Sequence, residues 1–272
     1  MIRSTFPLFL LLPLSFVACD GRATETGSDA ADADTDTDAD SDTDADADMG
    51  FSVSGMAVDL ASRTGAPEGL SVSIADPTAA LGGGDLTILG TSTTAADSTF
   101  TVAGVKTTAT LGLFMIVSGG TNMNTGTGIA YADYGTLGSG DVLADKTAYV
   151  VSAAMAGGID ASATPLGYTG TVEADGVLFI LVRDEAGAPV DGATVSCGDC
   201  GAPIFYMDAD PTDGLFTTGM APNAGTSAAA GGLAVVPTGP IATYEAAGGG
   251  MAGTQLSGTL PGLAAFIGIT VK

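Results

Sequence analysis

The sequence predicts a mainly β fold, arranged as two small antiparallel β-sandwiches, and three observations carry that expectation. Apolar residues recur at every second position in several short stretches, turn-forming clusters separate those stretches at regular spacing, and one turn-and-strand pattern occurs twice. Short strands at such spacing suit sandwiches, because each strand buries one face and returns through a turn.

The alternating stretches are Phe51 to Asp59, Leu70 to Ile74 and Thr99 to Val102. Leu111 to Val117 and Val177 to Val182 are continuous apolar runs, the pattern of strands covered on both faces. Later candidates are Ile204 to Met207, Leu233 to Val236, Ile241 to Glu245 and Phe266 to Val271. Between them lie Arg63-Thr64-Gly65-Ala66-Pro67, Gly82-Gly83-Gly84, Ala96-Asp97-Ser98, Ala186-Gly187-Ala188-Pro189 and Asp213-Gly214. The Ala-rich stretch Thr147 to Ala163 is the one candidate helix, with Val150-Val151 and Gly157-Gly158 working against it. The expected organisation is a first sandwich over residues 51–120, a loop-rich, partly helical insertion over 121–172 and a second sandwich over 173–272.

The N-terminus has a different character. Arg3 precedes an apolar run of 13 residues from Phe6 to Ala18. As a helix that run rises about 20 Å, against a bilayer core of about 30 Å, so it reads as an export leader rather than a span. It ends in Phe16-Val17-Ala18-Cys19, which resembles the lipobox of bacterial lipoproteins with Phe16 where Leu is usual. The resemblance implies a signal peptide over 1–18 and a diacylated Cys19 as mature N-terminus, anchored by more than the two signals that stable attachment needs. Residues 19–50 follow as an acidic tether, with 12 Asp or Glu against one Arg and Asp at every even position from Asp32 to Asp48. Such a stretch holds too little apolar surface to offset the entropy of ordering it, and its like charges extend it. Asp-x-Asp-x-Asp also opens calcium loops, but the Gly and Glu that close such a loop round one ion are missing.

The repeated pattern is Val58-Asp59 followed by Gly65-Ala66-Pro67-Glu68-Gly69-Leu70-Ser71-Val72, and Val182-Arg183-Asp184 followed by Gly187-Ala188-Pro189-Val190-Asp191-Gly192-Ala193-Thr194-Val195. It resembles the carboxypeptidase regulatory-like family of transthyretin-like (prealbumin-like) sandwiches. That family adds a later turn, which Thr94 to Phe100 resembles with Ser98 where Gly is usual, and which Ala228 to Leu233 matches more loosely. The resemblance implies a transthyretin-like fold for both sandwiches and by itself no activity.

Composition excludes several chemistries. The chain has no His, which removes Ser-His-Asp and Cys-His nucleophile systems and His-ligated zinc. No nucleophile elbow or phosphate-cradling Gly-rich motif occurs. Residues 51–272 carry 19 acidic and five scattered basic side chains, a formal charge of −14, so neither nucleic acid nor an anionic lipid surface is an expected partner. Lys106 and Lys146 read as solvated strand residues rather than bases of a Ser-Lys dyad.

Two clusters could carry chemistry. Cys197-Gly198-Asp199-Cys200 follows a strand rather than opening a helix, so it reads as a structural disulfide of an oxidising compartment rather than a redox pair. Asp208-Ala209-Asp210-Pro211-Thr212-Asp213-Gly214 places three carboxylates near a Gly; it reads as a solvated turn, with Ca²⁺ held by Asp208, Asp210 and Asp213 as the sharper alternative. No other cofactor is expected.

The expectation is a lipid-anchored envelope protein, at the outer membrane or cell surface, acting as a non-enzymatic adhesion, scaffolding or ligand-presenting module. Asp20 after the lipidated cysteine resembles a signal that retains lipoproteins at the inner membrane in some bacteria. The alternatives are a glycan- or calcium-binding surface module and a hydrolase built on Asp208 and Asp210. Six Tyr and no Trp leave Tyr alone as a sugar-stacking platform.

Overall fold

The computed structural model describes residues 50–198, 200–219 and 221–272. Cys19, the leader and the acidic tether lie outside the described residues. From Gly50 onward the chain belongs to one compact unit.

The unit is mainly β. In order, the strands are β1 (Phe51–Asp59), β2 (Ser71–Asp76), β3 (Thr87–Thr93), β4 (Thr99–Val105), β5 (Leu113–Ser118), β6 (Asn124–Ile129), β7 (Val142–Val150), β8 (Val177–Arg183), β9 (Thr194–Ser196), β10 (Phe205–Tyr206), β11 (Thr217–Thr218), β12 (Ala221–Pro222), β13 (Leu233–Pro237), β14 (Ala242–Gly248), β15 (Met251–Ser257) and β16 (Leu263–Thr270). Helices are short: α1 (Thr78–Leu81), α2 (Tyr131–Tyr134), α3 (Ala153–Ala163) and α4 (Val172–Asp175).

One eight-stranded sheet, ordered β10-β13-β8-β16-β6-β5-β2-β3, serves two sandwiches. Its N-terminal portion packs on β4-β1-β7, with Val53, Val72, Ile74, Val102, Met115 and Val150 in the core between them. Its C-terminal portion packs on β15-β14-β9, with Leu178, Ile180, Ile269, Tyr244 and Ala246 between the layers. The other face of that portion is covered by α3, through Met155, Ala156 and Ile159 packed near Phe179 and Phe266. Phe266 stacks on Phe179 at 4.4 Å and on Tyr149 at 4.7 Å, so truncating it to Ala removes two ring contacts and costs about 3–5 kcal/mol.

The mainly β expectation therefore holds, with pairings that the sequence does not announce. β1 runs parallel to β7, and β16 runs parallel to both β6 and β8. Residues 121–172, read from the sequence as a loop-rich, partly helical insertion, supply α3 and also the strands β6 and β7, and β6 joins the two halves of the large sheet. Its Asn-Thr-Gly-Thr-Gly-Ile sequence has almost no apolar period, because the sheet needs its backbone there more than its side chains. The helix starts later than the Ala-rich stretch suggests. Thr147 to Val150 stay in β7, and α3 begins after Ser152, whose Oγ accepts from the Met155 N–H at 3.2 Å.

The sequence repeat is a repeated corner. After β1, the Ala66 N–H donates to the Ala57 carbonyl and the Ala57 N–H to the Ser98 carbonyl; after β8, the Val190 N–H donates to the Val182 carbonyl and the Val182 N–H to the Gly232 carbonyl. Ser98 and Gly232 occupy the same place with φ of 67° and 68°, the left-handed region where glycine is at ease. Ser98 is held there by its hydroxyl, which donates to the Ala66 carbonyl at 2.6 Å.

Candidate functional site

The two apolar runs differ in how the fold covers them. β8 is covered on both faces as expected, Val177 and Phe179 toward α3 and Leu178, Ile180 and Val182 toward β14. β5 is not. Leu113, Met115 and Val117 are buried in the first sandwich, while Phe114 and Ile116 on the opposite face stay half-buried. β14 and β15 cover the sheet only as far as β16, and next to them β6 presents Gly126 and Gly128 opposite Ile116 and Phe114.

The uncovered region is a cleft of about 510 Å³. Phe114, Ile116 and Gly128 form one wall, Ile267, Gly268 and Thr270 of β16 lie along it, and Leu256 and Leu260 stand opposite. Three large apolar side chains at its lining are exposed, Leu111 at 55%, Leu256 at 50% and Ile241 at 46%. Volume and apolar lining fall in the range of ligand sites. Asp133 is the ionisable side chain of the lining, and its carboxylate pairs with Lys146 at 2.8 Å. A mostly apolar cleft with its carboxylate tied to an ammonium is suited to binding.

A second, shallower hollow of about 320 Å³ lies beside Gly50, where the described chain begins. Tyr131, 45% exposed, lines it and meets Tyr134 edge-on at 5.4 Å. The Tyr134 hydroxyl donates to the Ala109 carbonyl at 2.8 Å, and burial pushes its pKa upward.

The residues singled out from the sequence lie elsewhere. Cys197 and Cys200 are disulfide-bonded with Cα atoms 5.6 Å apart, just after β9. The Cys200 N–H donates to the Cys197 carbonyl, so a tight turn underlies the bridge. Asp208, Asp210 and Asp213 share one loop without converging. An Asp208 oxygen accepts from the Asp210 N–H at 3.0 Å, and an Asp210 oxygen accepts from the Thr212 N–H at 3.2 Å, capping the 3₁₀ turn Pro211–Asp213. Among the described residues, no three His, Cys, Asp or Glu side chains are grouped to hold a metal ion.

Sequence reasoning misses the cleft because its lining is scattered from Pro77 to Thr270. One signal was available. Gly249-Gly250, with φ of 61° and 82°, is a two-residue hairpin turn between β14 and β15, and recognising it places Leu256 on a strand.

No family model matches the chain, and no curated protein matches it. Among solved structures it is similar to the shaft pilin SpaA from Lactobacillus rhamnosus GG, at 10% identity and a TM-score of 0.24 over 82% of this chain and 98% of that one. It is also similar to the Bacillus anthracis TIE protein, at 10% identity and 0.22 over 82% of this chain and 34% of that one. A streptococcal ancillary pilin matches at 10% identity and 0.22, over 81% of this chain and 68% of that one. Similarity at that level assigns neither family nor function.

Proposed function

We propose that the chain is a lipid-anchored surface module, attached through Cys19 and carried on its acidic tether, whose folded part acts as a non-enzymatic adhesion, scaffolding or ligand-presenting domain. The observation that carries this reading is the apolar cleft with Leu111, Leu256 and Ile241 exposed at its lining. Contiguous exposed apolar surface of this kind marks interaction sites on folded proteins. The export leader and the Cys19 context of the sequence support the location, and the twin corners support transthyretin-like sandwiches as the scaffold.

The reading is tested on intact cells. External protease should strip the folded part from the membrane fraction, and Cys19→Ala should move the chain into the soluble fraction. A wild-type chain that fractionates as soluble, or that stays protected until the cells are broken, contradicts it.

A glycan ligand is a second reading, favoured by the exposed ring of Tyr131 beside the polar rim of the shallower hollow. Binding to a glycan array that is lost in Tyr131→Ala supports it, and binding unchanged by that substitution removes it.

A further inference from the structure

The cleft leaves backbone as well as side chains uncovered. β16 pairs with β8 from Ala264 to Thr270 but with β6 only from Leu263 to Phe266. Past Phe266 the two strands part; β15 approaches that side of β16 where Gly253 packs against the Thr270 carbonyl, and beyond it the Lys272 N–H donates to the Ala252 carbonyl and the Lys272 carbonyl accepts from the Ala252 N–H. The N–H and C=O of Ala252 therefore point away from β14. Backbone direction alternates along a strand, so those of Thr254 and Leu256 point the same way, and β15 is the edge of its sheet. Gly268, Thr270 and Leu256 all line the cleft. Two strand edges thus border one apolar space, with the Leu256 carbonyl already accepting from the Gln255 side-chain amide at 3.2 Å.

An extended peptide matches that combination. Its main chain would satisfy the open edges while alternate side chains enter against Phe114 and Ile116; a purely aliphatic ligand would leave the edge groups unmet. Charge chooses among peptides. Asp133 lines the cleft, and Asp76 and Asp85 directly precede the lining residues Pro77 and Leu86, against Lys146, which already pairs with Asp133, and Lys272 at the end of the gap. A second copy of the chain brings another −14 over residues 51–272, and the chain's own stretch from Asp20 to Asp48 is acidic, so both are repelled.

The geometry points to strand addition: an exogenous, extended peptide segment, apolar at alternate positions and carrying Lys or Arg, docks in the cleft between β6 and β15. This rests on the cleft being the binding surface proposed above, while anchoring and exposure are tested independently of it, so the two can fail separately.

The test is selection of a displayed random hexapeptide library on the exported chain carrying Cys19→Ala, with Leu256→Asp, exposed enough to leave the core intact, as the counter-selection. Enriched sequences should alternate apolar residues and contain Lys or Arg. A synthetic enriched peptide should bind at least tenfold more weakly to Leu256→Asp, and at least tenfold more weakly when its alternate amides are N-methylated. Exchanging its Lys or Arg for Glu should weaken it similarly at low salt, with the gap closing in 0.5 M salt. No enrichment over Leu256→Asp, insensitivity to N-methylation, or tight binding of a fluorescent long-chain fatty acid in place of any peptide overturns the proposal.

Discussion

Thr94 and Thr226, far apart in the chain, make the same four hydrogen bonds. Each hydroxyl accepts from a strand-entry N–H, Leu70 at 2.9 Å and Ala193 at 3.0 Å, and donates to a turn carbonyl, Pro67 and Val190, both at 2.7 Å. Each backbone carbonyl accepts from a glycine, Gly69 or Gly192, and each N–H donates back to Leu70 or Ala193. Both glycines have positive φ, 83° and 66°, so the turn admits little else there. The repeated sequence pattern is therefore a repeated structural corner, and it starts the second strand of each sandwich.

Both threonines are buried, at 2% exposure. Replacing either with Val keeps the shape and leaves a buried N–H and a carbonyl without the hydroxyl, at a cost of about 1–3 kcal/mol. Urea unfolding should show similar losses for Thr94→Val and Thr226→Val. A loss at only one of them contradicts the equivalence of the corners.

Ser98 gives a sharper comparison, because it sits at the left-handed position that Gly232 fills in the other corner. In Ser98→Gly, relief of backbone strain offsets loss of the bond to the Ala66 carbonyl, and stability should change by less than about 1 kcal/mol. Ser98→Ala keeps the strain and loses the bond, and should cost about 1–2 kcal/mol. A Ser98→Gly variant clearly less stable than Ser98→Ala contradicts this account.

These corners are legible because their residues are chosen by backbone geometry: Gly69 and Gly192 by positive φ, Pro67 and Pro189 by the turn. β8 is legible because six apolar residues in a row need cover on both faces. β6 and β7 are not, since Gly126 and Gly128 leave no periodicity and β7 carries Asp145 and Lys146 among its residues. The cleft is hidden for a related reason. The run Leu111 to Val117 states that both faces of β5 are apolar, but only the reach of β15 decides that Phe114 and Ile116 go partly uncovered.

Alkaline pH should loosen the second sandwich. Burial pushes the Tyr244 hydroxyl up to about 12, and the hydroxyl donates to the Pro240 carbonyl at 2.9 Å. An unfolded tyrosine ionises near 10, so this contribution is fully present below about pH 10 and is lost as pH rises through about 12. Burial also raises Tyr168, whose hydroxyl donates to Asp175 at 2.9 Å, and Tyr134. Tyrosinate absorbance should show a late phase that coincides with loss of β circular dichroism. A single phase near pH 10 with the fold intact contradicts it.

The Cys197–Cys200 bridge closes a four-residue loop, for which the chain-entropy relation gives about 2 kcal/mol. Cys197→Ser with Cys200→Ser should lower stability by about that amount without abolishing the fold. Freshly isolated protein should not react with a thiol reagent at Cys197 or Cys200 before reduction, and ready labelling there shows the bridge to be absent in the cell envelope.

The central claim is that the folded part is held at a membrane by its N-terminus, and the intact mass of the chain extracted from membranes tests it most directly. The account predicts a chain that begins at Cys19 and carries added diacylglyceryl and acyl mass. A mature chain that begins at another residue, or one that begins at Cys19 with a free thiol, contradicts it.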